Sequence, residues 1–155
     1  MMQNNFLKNK KIILSAGASG IGLATLKLLL SQGAFVYTCD IDKKNINKLK
    51  KNPYFNKKLF ISECDASKED EVKKFYKEVS NKTKIIDGLI NNIGIAGPTS
   101  PLEKIKSEDW EKTLQVNVNS HFYFTKYAIP MIKKSKHGSI VNISSTAGID
   151  GFPNR

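Results

Sequence analysis

Short apolar runs alternate with amphipathic stretches along nearly the whole chain. Lys11-Ile12-Ile13-Leu14-Ser15-Ala16 is a continuous apolar run, as a strand buried on both faces requires. Residues 20–31 carry Ile21, Leu23, Leu26, Leu28, Leu29 and Leu30 and predict a helix that Gly33 ends. Residues 34–40 predict a second strand, Lys43 to Lys51 a polar helix closed by Pro53, and residues 58–62 a short third strand. Ser67 to Ser80 predict the next helix, with Val72, Phe75, Tyr76 and Val79 on one face. Ser67 is placed to cap it, and Asp70 completes an imperfect capping box. Residues 85–91 read as a fourth strand. After a Gly- and Pro-bearing loop, Ser107 opens a long helix to about Lys134, which Pro130 should kink. Residues 139–144 read as a fifth strand.

Strand–helix alternation with buried strands predicts an α/β architecture: a doubly wound parallel sheet, Rossmann-like, with crossover helices on both faces. The strand order 3-2-1-4-5 follows if the first crossovers run one way and the fourth strand returns beside the first. Residues 1–155 suit a single domain, and no repeat or linker divides them.

Composition narrows the partners. Hydrophobic residues make up 40% and charged residues 25%, an ordinary globular balance. No apolar run approaches the roughly 20 residues of a membrane helix. The start, Met1 to Lys11, is polar and lacks a signal core, so a cytoplasmic location is expected. The net charge of +11 rests on lysine, Arg155 being the sole arginine. These lysines lie on polar helix faces beside Glu and Asp, without the arginine forks and interleaved aromatics of nucleic-acid readers. Neither nucleic acid nor membrane is expected as a partner, whereas anionic small molecules are favoured. Cys39 and Cys64 form no CxxC and no histidine stands at ligand spacing, so the expectation is two buried free thiols and no metal.

Four segments carry candidate chemistry. Ser15-Ala16-Gly17-Ala18-Ser19-Gly20-Ile21-Gly22 joins the first strand to its helix. Glycines let such a turn approach a pyrophosphate, and the helix N-terminus offers free N–H groups and a positive dipole end. Asp40, with Ile41 beside it, ends the second strand, where a carboxylate accepts from both ribose hydroxyls and repels a 2′-phosphate. That favours NAD over NADP. Cys64-Asp65-Ala66 follows the third strand, where Asp65 can accept from an exocyclic amine or simply cap the next helix. Asn91-Asn92-Ile93-Gly94 follows the fourth: Asn side chains can tie loops together, and Gly94 leaves room for a ring.

With these segments, the chain resembles the short-chain dehydrogenase/reductase family. That family pairs a Thr-Gly-xxx-Gly-Ile-Gly turn with Asn-Asn-Ala-Gly. Gln115-Val116-Asn117-Val118 resembles its Val-Asn pair, and Gly138-Ser139-Ile140-Val141-Asn142-Ile143-Ser144-Ser145 its active-site strand. The resemblance covers essentially the whole chain. It implies hydride transfer between NAD and a carbonyl or secondary alcohol, with Ser145 as the catalytic serine and Asn117 as the asparagine that kinks its helix and holds a relay water. It implies a pyrophosphate site at Ser19, Gly20, Ile21 and Gly22, with Ser15 and Gly17 in the same turn. Asn92, Ile93 and Gly94 would lie beside the adenosine half, and Asp40 would select NAD.

The chain departs from the family pattern at three places. Ser15 and Ala16 replace the threonine and first glycine of the turn; binding survives there if φ at Ala16 is negative, and Gly17 supplies slack. Ile93 replaces a small alanine and should narrow the groove slightly. The family's catalytic tyrosine and lysine would fall beyond Arg155, and Tyr123 and Tyr127 stand in the wrong frame to replace them. The sequence therefore reads as a C-terminally incomplete member, expected to be inactive and poorly stable alone, with its fifth strand an open edge. Full-length members are expected to form homo-oligomers. The loop Gly97 to Pro101 is expected to border a substrate cleft. Two readings of other classes stay open: a non-catalytic nucleotide-binding module and, more distantly, a methyl-donor-binding Rossmann enzyme.

Overall fold

A computed structural model describes residues 5–53 and 57–154. Residues 1–4, 54–56 and 155 lie outside the described residues. Each apolar run becomes a strand of one parallel sheet: β1 (Lys11–Ser15), β2 (Phe35–Asp40), β3 (Leu59–Glu63), β4 (Gly88–Asn91) and β5 (Ser139–Asn142). The order is β3-β2-β1-β4-β5, as expected. The helices are α1 (Gly20–Ser31), α2 (Lys43–Lys50), α3 (Glu69–Ser80), α4 (Ser107–Leu114) and α5 (Ser120–Ile132).

Strand side chains alternate between faces, so one sheet feeds two cores. Ile12 and Leu14 of β1 join Leu26, Leu29, Val36 and Ile46 on the side of α1 and α2. Ile13 points the other way and joins Phe75, Tyr76, Leu89 and Phe124 on the side of α3 and α5. There the Phe75 ring lies 5.7 Å from Phe124 and 5.5 Å from Tyr76, and the buried Tyr76 hydroxyl donates to the Phe124 carbonyl at 2.8 Å. Burying a phenol with its hydroxyl satisfied avoids the desolvation penalty of an orphaned group. Because β2 and β4 flank β1, the chain reverses direction across the sheet at β1, and a crevice opens beyond the C-terminal ends of these strands.

The element ends show what periodicity misses. Gly33 ends α1 as expected: its φ is +87°, a left-handed conformation that glycine adopts without strain. Ser67 does not cap α3. Lys68 occupies the cap position without a side-chain bond, and the Glu71 carboxylate reaches back to the Asp65 N–H at 2.7 Å. The long helix is broken by a π-turn at Gln115–Asn119, while Pro130 is carried inside α5. Strand β4 begins at Gly88 rather than Ile85, because ladder pairing with β1 starts with Gly88 opposite Ile12. Strand β5 ends at Asn142 and forms the sheet edge; Val141 is 47% exposed.

At the opposite end of the sheet, Asp87 gathers three donors: the Lys11 N–H at 2.9 Å, the Ser135 hydroxyl at 2.9 Å and the Lys10 ammonium at 3.3 Å. Burial alone would raise this carboxyl, but those donors outweigh it and hold the group below its ordinary range. A depressed folded-state pKa adds stability above the unfolded-state value, near 4, and that stability is lost as pH falls through the folded value. Asp87→Asn should therefore cost about 1–2 kcal/mol at pH 7. The difference from the parent should shrink below about pH 4. Urea unfolding across pH 3–8 checks this; a difference independent of pH would refute the ionic account.

Candidate functional site

The turn between β1 and α1 is folded tightly by contacts that leave no room for added side chains. A Cβ on Gly22 would stand 1.9 Å from the Ala16 carbonyl oxygen and 2.7 Å from the Asn92 side-chain nitrogen. One on Gly17 would stand 2.2 Å from Thr38 Oγ1. The negative φ hoped for at Ala16 is not found: it is +52°, in the left-handed region, where a Cβ crowds the carbonyl and costs about 1–2 kcal/mol. Gly20 shares that conformation at +50° without the cost.

Neighbouring strands hold the strained turn. Ser15 is buried; its hydroxyl accepts from the Asn92 N–H at 2.9 Å. The Asn92 amide donates to the Ser15 and Ala16 carbonyls at 3.3 and 3.1 Å. Asn92 thus ties the loop after β4 to the turn after β1, and Asn91 joins the ends of β4 and β5 by donating to Asn142 Oδ1 at 2.8 Å. The N-terminus of α1 stays open, since Ser19 makes no side-chain cap and the first turn has no acid. Ser19, Gly20 and Ile21 are exposed while Gly22 is buried, and the first-turn N–H groups lack intrahelical partners.

Beside this turn lies a cavity of about 340 Å³, lined by Ala16, Asp40, Ile41, Asp65, Ile93 and Gly94 among others. Asp40 is 8% exposed. Its Oδ2 accepts the Ala18 N–H at 2.9 Å and its Oδ1 the Asp42 N–H at 3.1 Å, which fixes the carboxylate and leaves each oxygen a further lone pair. Asp65 Oδ1 accepts from the Ser67 N–H and hydroxyl at 3.0 and 2.6 Å. Burial raises this carboxyl, but Ser67 and then Lys68 prevail and hold it below the usual range. Cys39 and Cys64 are free, buried and on the same cavity wall. The Cys39 thiol is raised well above its ordinary value, first by its hydrogen bond to Cys64 and then by burial, so it stays protonated.

A second cavity, of about 610 Å³, adjoins the first along Ile95. Asn117 and Ser145 line it together with Trp110, Thr113, Gly97 and Pro98, so the expected loop does border a cleft. Ser145 Oγ accepts the Ala147 N–H at 3.2 Å. Asn117 sits in the π-turn, and both ends of its amide are taken by Ile95: Oδ1 accepts its N–H at 2.8 Å and Nδ2 donates to its carbonyl at 2.9 Å. One helical turn later, His121 Nε2 lies 2.9 Å from the Ile93 carbonyl. That contact requires the ring nitrogen to carry the proton. The helix thus grips the loop after β4 on both sides of Gly94.

Two groups of expected residues therefore meet. Asp40, Ile41, Cys64, Asp65, Ile93 and Gly94 share one cavity; Asn117 and Ser145 share the other. Ser15, Gly17, Gly22 and Asn92 stand behind the wall and shape it. Tyr123 and Tyr127 line neither cavity: Tyr127 donates to Glu69 at 2.9 Å and Tyr123 accepts from Gln115. The sequence reading missed Ser67, Lys112 and Val116 on the first cavity, and His121. The four-residue spacing of Lys112 and Val116 is the one sequence signal that could have paired those two; none marks Ser67 or His121.

A model of the short chain dehydrogenase family matches residues 10–155. The chain is 36% identical over 148 residues to the 3-oxoacyl-acyl-carrier-protein reductase FabG of Thermotoga maritima, covering 95% of this chain and 60% of that protein. It is 34% identical to a 2,5-dichloro-2,5-cyclohexadiene-1,4-diol dehydrogenase of Sphingobium indicum, covering 95% and 58%. Among solved structures, a short chain dehydrogenase of Shigella flexneri 2a complexed with NADP superposes with a TM-score of 0.89 at 22% identity, covering 97% of this chain and 65% of that one. The chain belongs to the short chain dehydrogenase family. It spans about three fifths of the curated relatives it matches, 60% and 58% in the two cases above.

Gly22→Ala should destabilise the protein by about 3 kcal/mol or more, since backbone rather than a pliable side chain blocks the methyl. Chemical denaturation measures this; a loss under 1 kcal/mol would mean the turn is slack.

Proposed function

We propose that the chain binds NAD across the turn and the first cavity, and that the whole protein transfers a hydride between that cofactor and a small alcohol or ketone. The observation that carries this reading is the Asp40 carboxylate, fixed by the Ala18 and Asp42 amides with lone pairs to spare beside an uncapped helix N-terminus. The first-turn N–H groups of α1 suit a diphosphate, and Asp40 suits the adjoining ribose hydroxyls. Ser15, Gly17 and Asn92 keep the turn bent. Ile41, Cys64, Asp65, Ile93 and Gly94 enclose the adenosine half. A carboxylate at Asp40 repels a 2′-phosphate, which favours NAD over the NADP bound by the Shigella relative. The bound cofactor supplies the hydride chemistry.

The second cavity suits the substrate. Ser145 Oγ spends a lone pair on Ala147, which leaves its O–H to donate to a substrate oxygen. The Asn117 amide is committed to Ile95, so any relay water there is held by backbone opened at the π-turn. The charge of the bound cofactor and a small polar substrate fit a protein that engages neither nucleic acid nor membrane. Among the described residues no helix is long and apolar enough to span a bilayer. A cytoplasmic setting keeps the paired thiols reduced. Phe122 of α5, 59% exposed, suits assembly into a homo-oligomer in the whole protein.

Calorimetric titration of the chain with NAD tests the reading. Asp40→Ala should weaken binding by about 10- to 100-fold and narrow any preference over NADP. A folded chain without affinity for NAD, or one whose affinity ignores Asp40, contradicts it. In the whole protein, Ser145→Ala should lower kcat on the order of 100-fold with little change in cofactor affinity. An unchanged kcat would remove Ser145 from the chemistry.

A further inference from the structure

The loop after β4 takes its place from two side chains. Ile93, Gly94 and Ile95 belong to no strand or helix, and among the described residues every hydrogen bond to their backbone is made by Asn117 or His121. Asn117 makes two bonds, both to Ile95. His121 makes one, from Nε2 to the Ile93 carbonyl at 2.9 Å. The two holds serve different walls. Ile95 lines both cavities, whereas Ile93 and Gly94 line the first alone. Releasing the Ile93 carbonyl would free the wall of the first cavity and leave the Ile95 hold, and with it the second cavity, in place. A wall that is loose before binding must be ordered during it, and that ordering weakens affinity.

We propose that His121 is a positioning residue for the cofactor: its Nε2–H fixes the Ile93 carbonyl and so preorganises one wall of the first cavity before the nucleotide enters. This rests on the nucleotide reading above and adds to it a residue that lines neither cavity. The role demands one tautomer. A carbonyl only accepts, so the neutral ring carries its proton on Nε2 and leaves Nδ1 bare. The role also demands a donor rather than an imidazole as such. A side-chain amide of similar reach fills it, and an aromatic ring without an N–H does not.

The test is calorimetric titration of the unaltered chain, His121→Phe and His121→Gln with NAD. His121→Phe keeps a ring and removes the donor, and should bind NAD about five- to tenfold more weakly. His121→Gln restores an N–H and should recover most of that loss. Trp110, the sole tryptophan, lines the second cavity and should keep its emission spectrum in both variants. Nitrogen NMR of the unaltered chain in alkaline solution, where imidazole is neutral, should find the His121 proton on Nε2; that measurement decides even where a variant fails to fold. NAD affinity unchanged in His121→Phe, equal losses in both variants, a shifted Trp110 emission or a proton on Nδ1 overturns the positioning role and leaves the nucleotide reading standing. No binding of NAD by the unaltered folded chain overturns both.

Discussion

The absence of space between α1 and the turn before it governs the rest of this molecule. Gly22 lies so close to the Ala16 carbonyl that a methyl group would overlap it. That approach aims the helix N-terminus past the end of β1, and Asn92 locks it by bonding the same carbonyl. The turn then delivers the Ala18 amide to Asp40. One packing constraint thus orients a helix dipole, a carboxylate and the floor of a cavity, and it tolerates a left-handed alanine at a cost the surrounding bonds offset.

Much of the architecture was legible in the chain because parallel strands are buried on both faces and announce themselves as unbroken apolar runs. Gly33 was readable for the same kind of reason: it performs a local task that few residue types can perform. Features set by hydrogen-bond register were not readable. Nothing within Gln-Val-Asn-Val-Asn itself distinguishes the π-turn at Gln115–Asn119 from ordinary helix. Only the family resemblance pointed to a distortion at Asn117. The bond from Glu71 back to the segment before α3 was hidden for another reason. The carboxylate reaches a backbone N–H six residues away, outside the spacing of a capping box. The sign of φ at Ala16 depended on contacts with β4 that no local pattern encodes.

The two cavities are not independent. Ile93, Gly94 and Ile95 form the wall of the first, and Ile95 also belongs to the second. Asn117 and His121 hold that wall by its backbone rather than its side chains. Backbone gripping leaves the Ile93 side chain out of the hold: it can shift while the peptide stays fixed.

The π-turn also has a geometric consequence for the helices on either side. An α-helix advances about 100° per residue, and a π-turn accommodates one residue more than the α-helical count. Everything after Asn119 is therefore rotated by about that angle relative to an uninterrupted rod. Before the turn, Trp110 and Thr113 look onto the open cleft; after it, Phe124 and Ala128 look into the packed interior. A single rod with one phase slip serves wet and dry surroundings in succession, and closing the turn into regular α-helix with all its residues kept would swing the aromatic anchor of the core out of the interior.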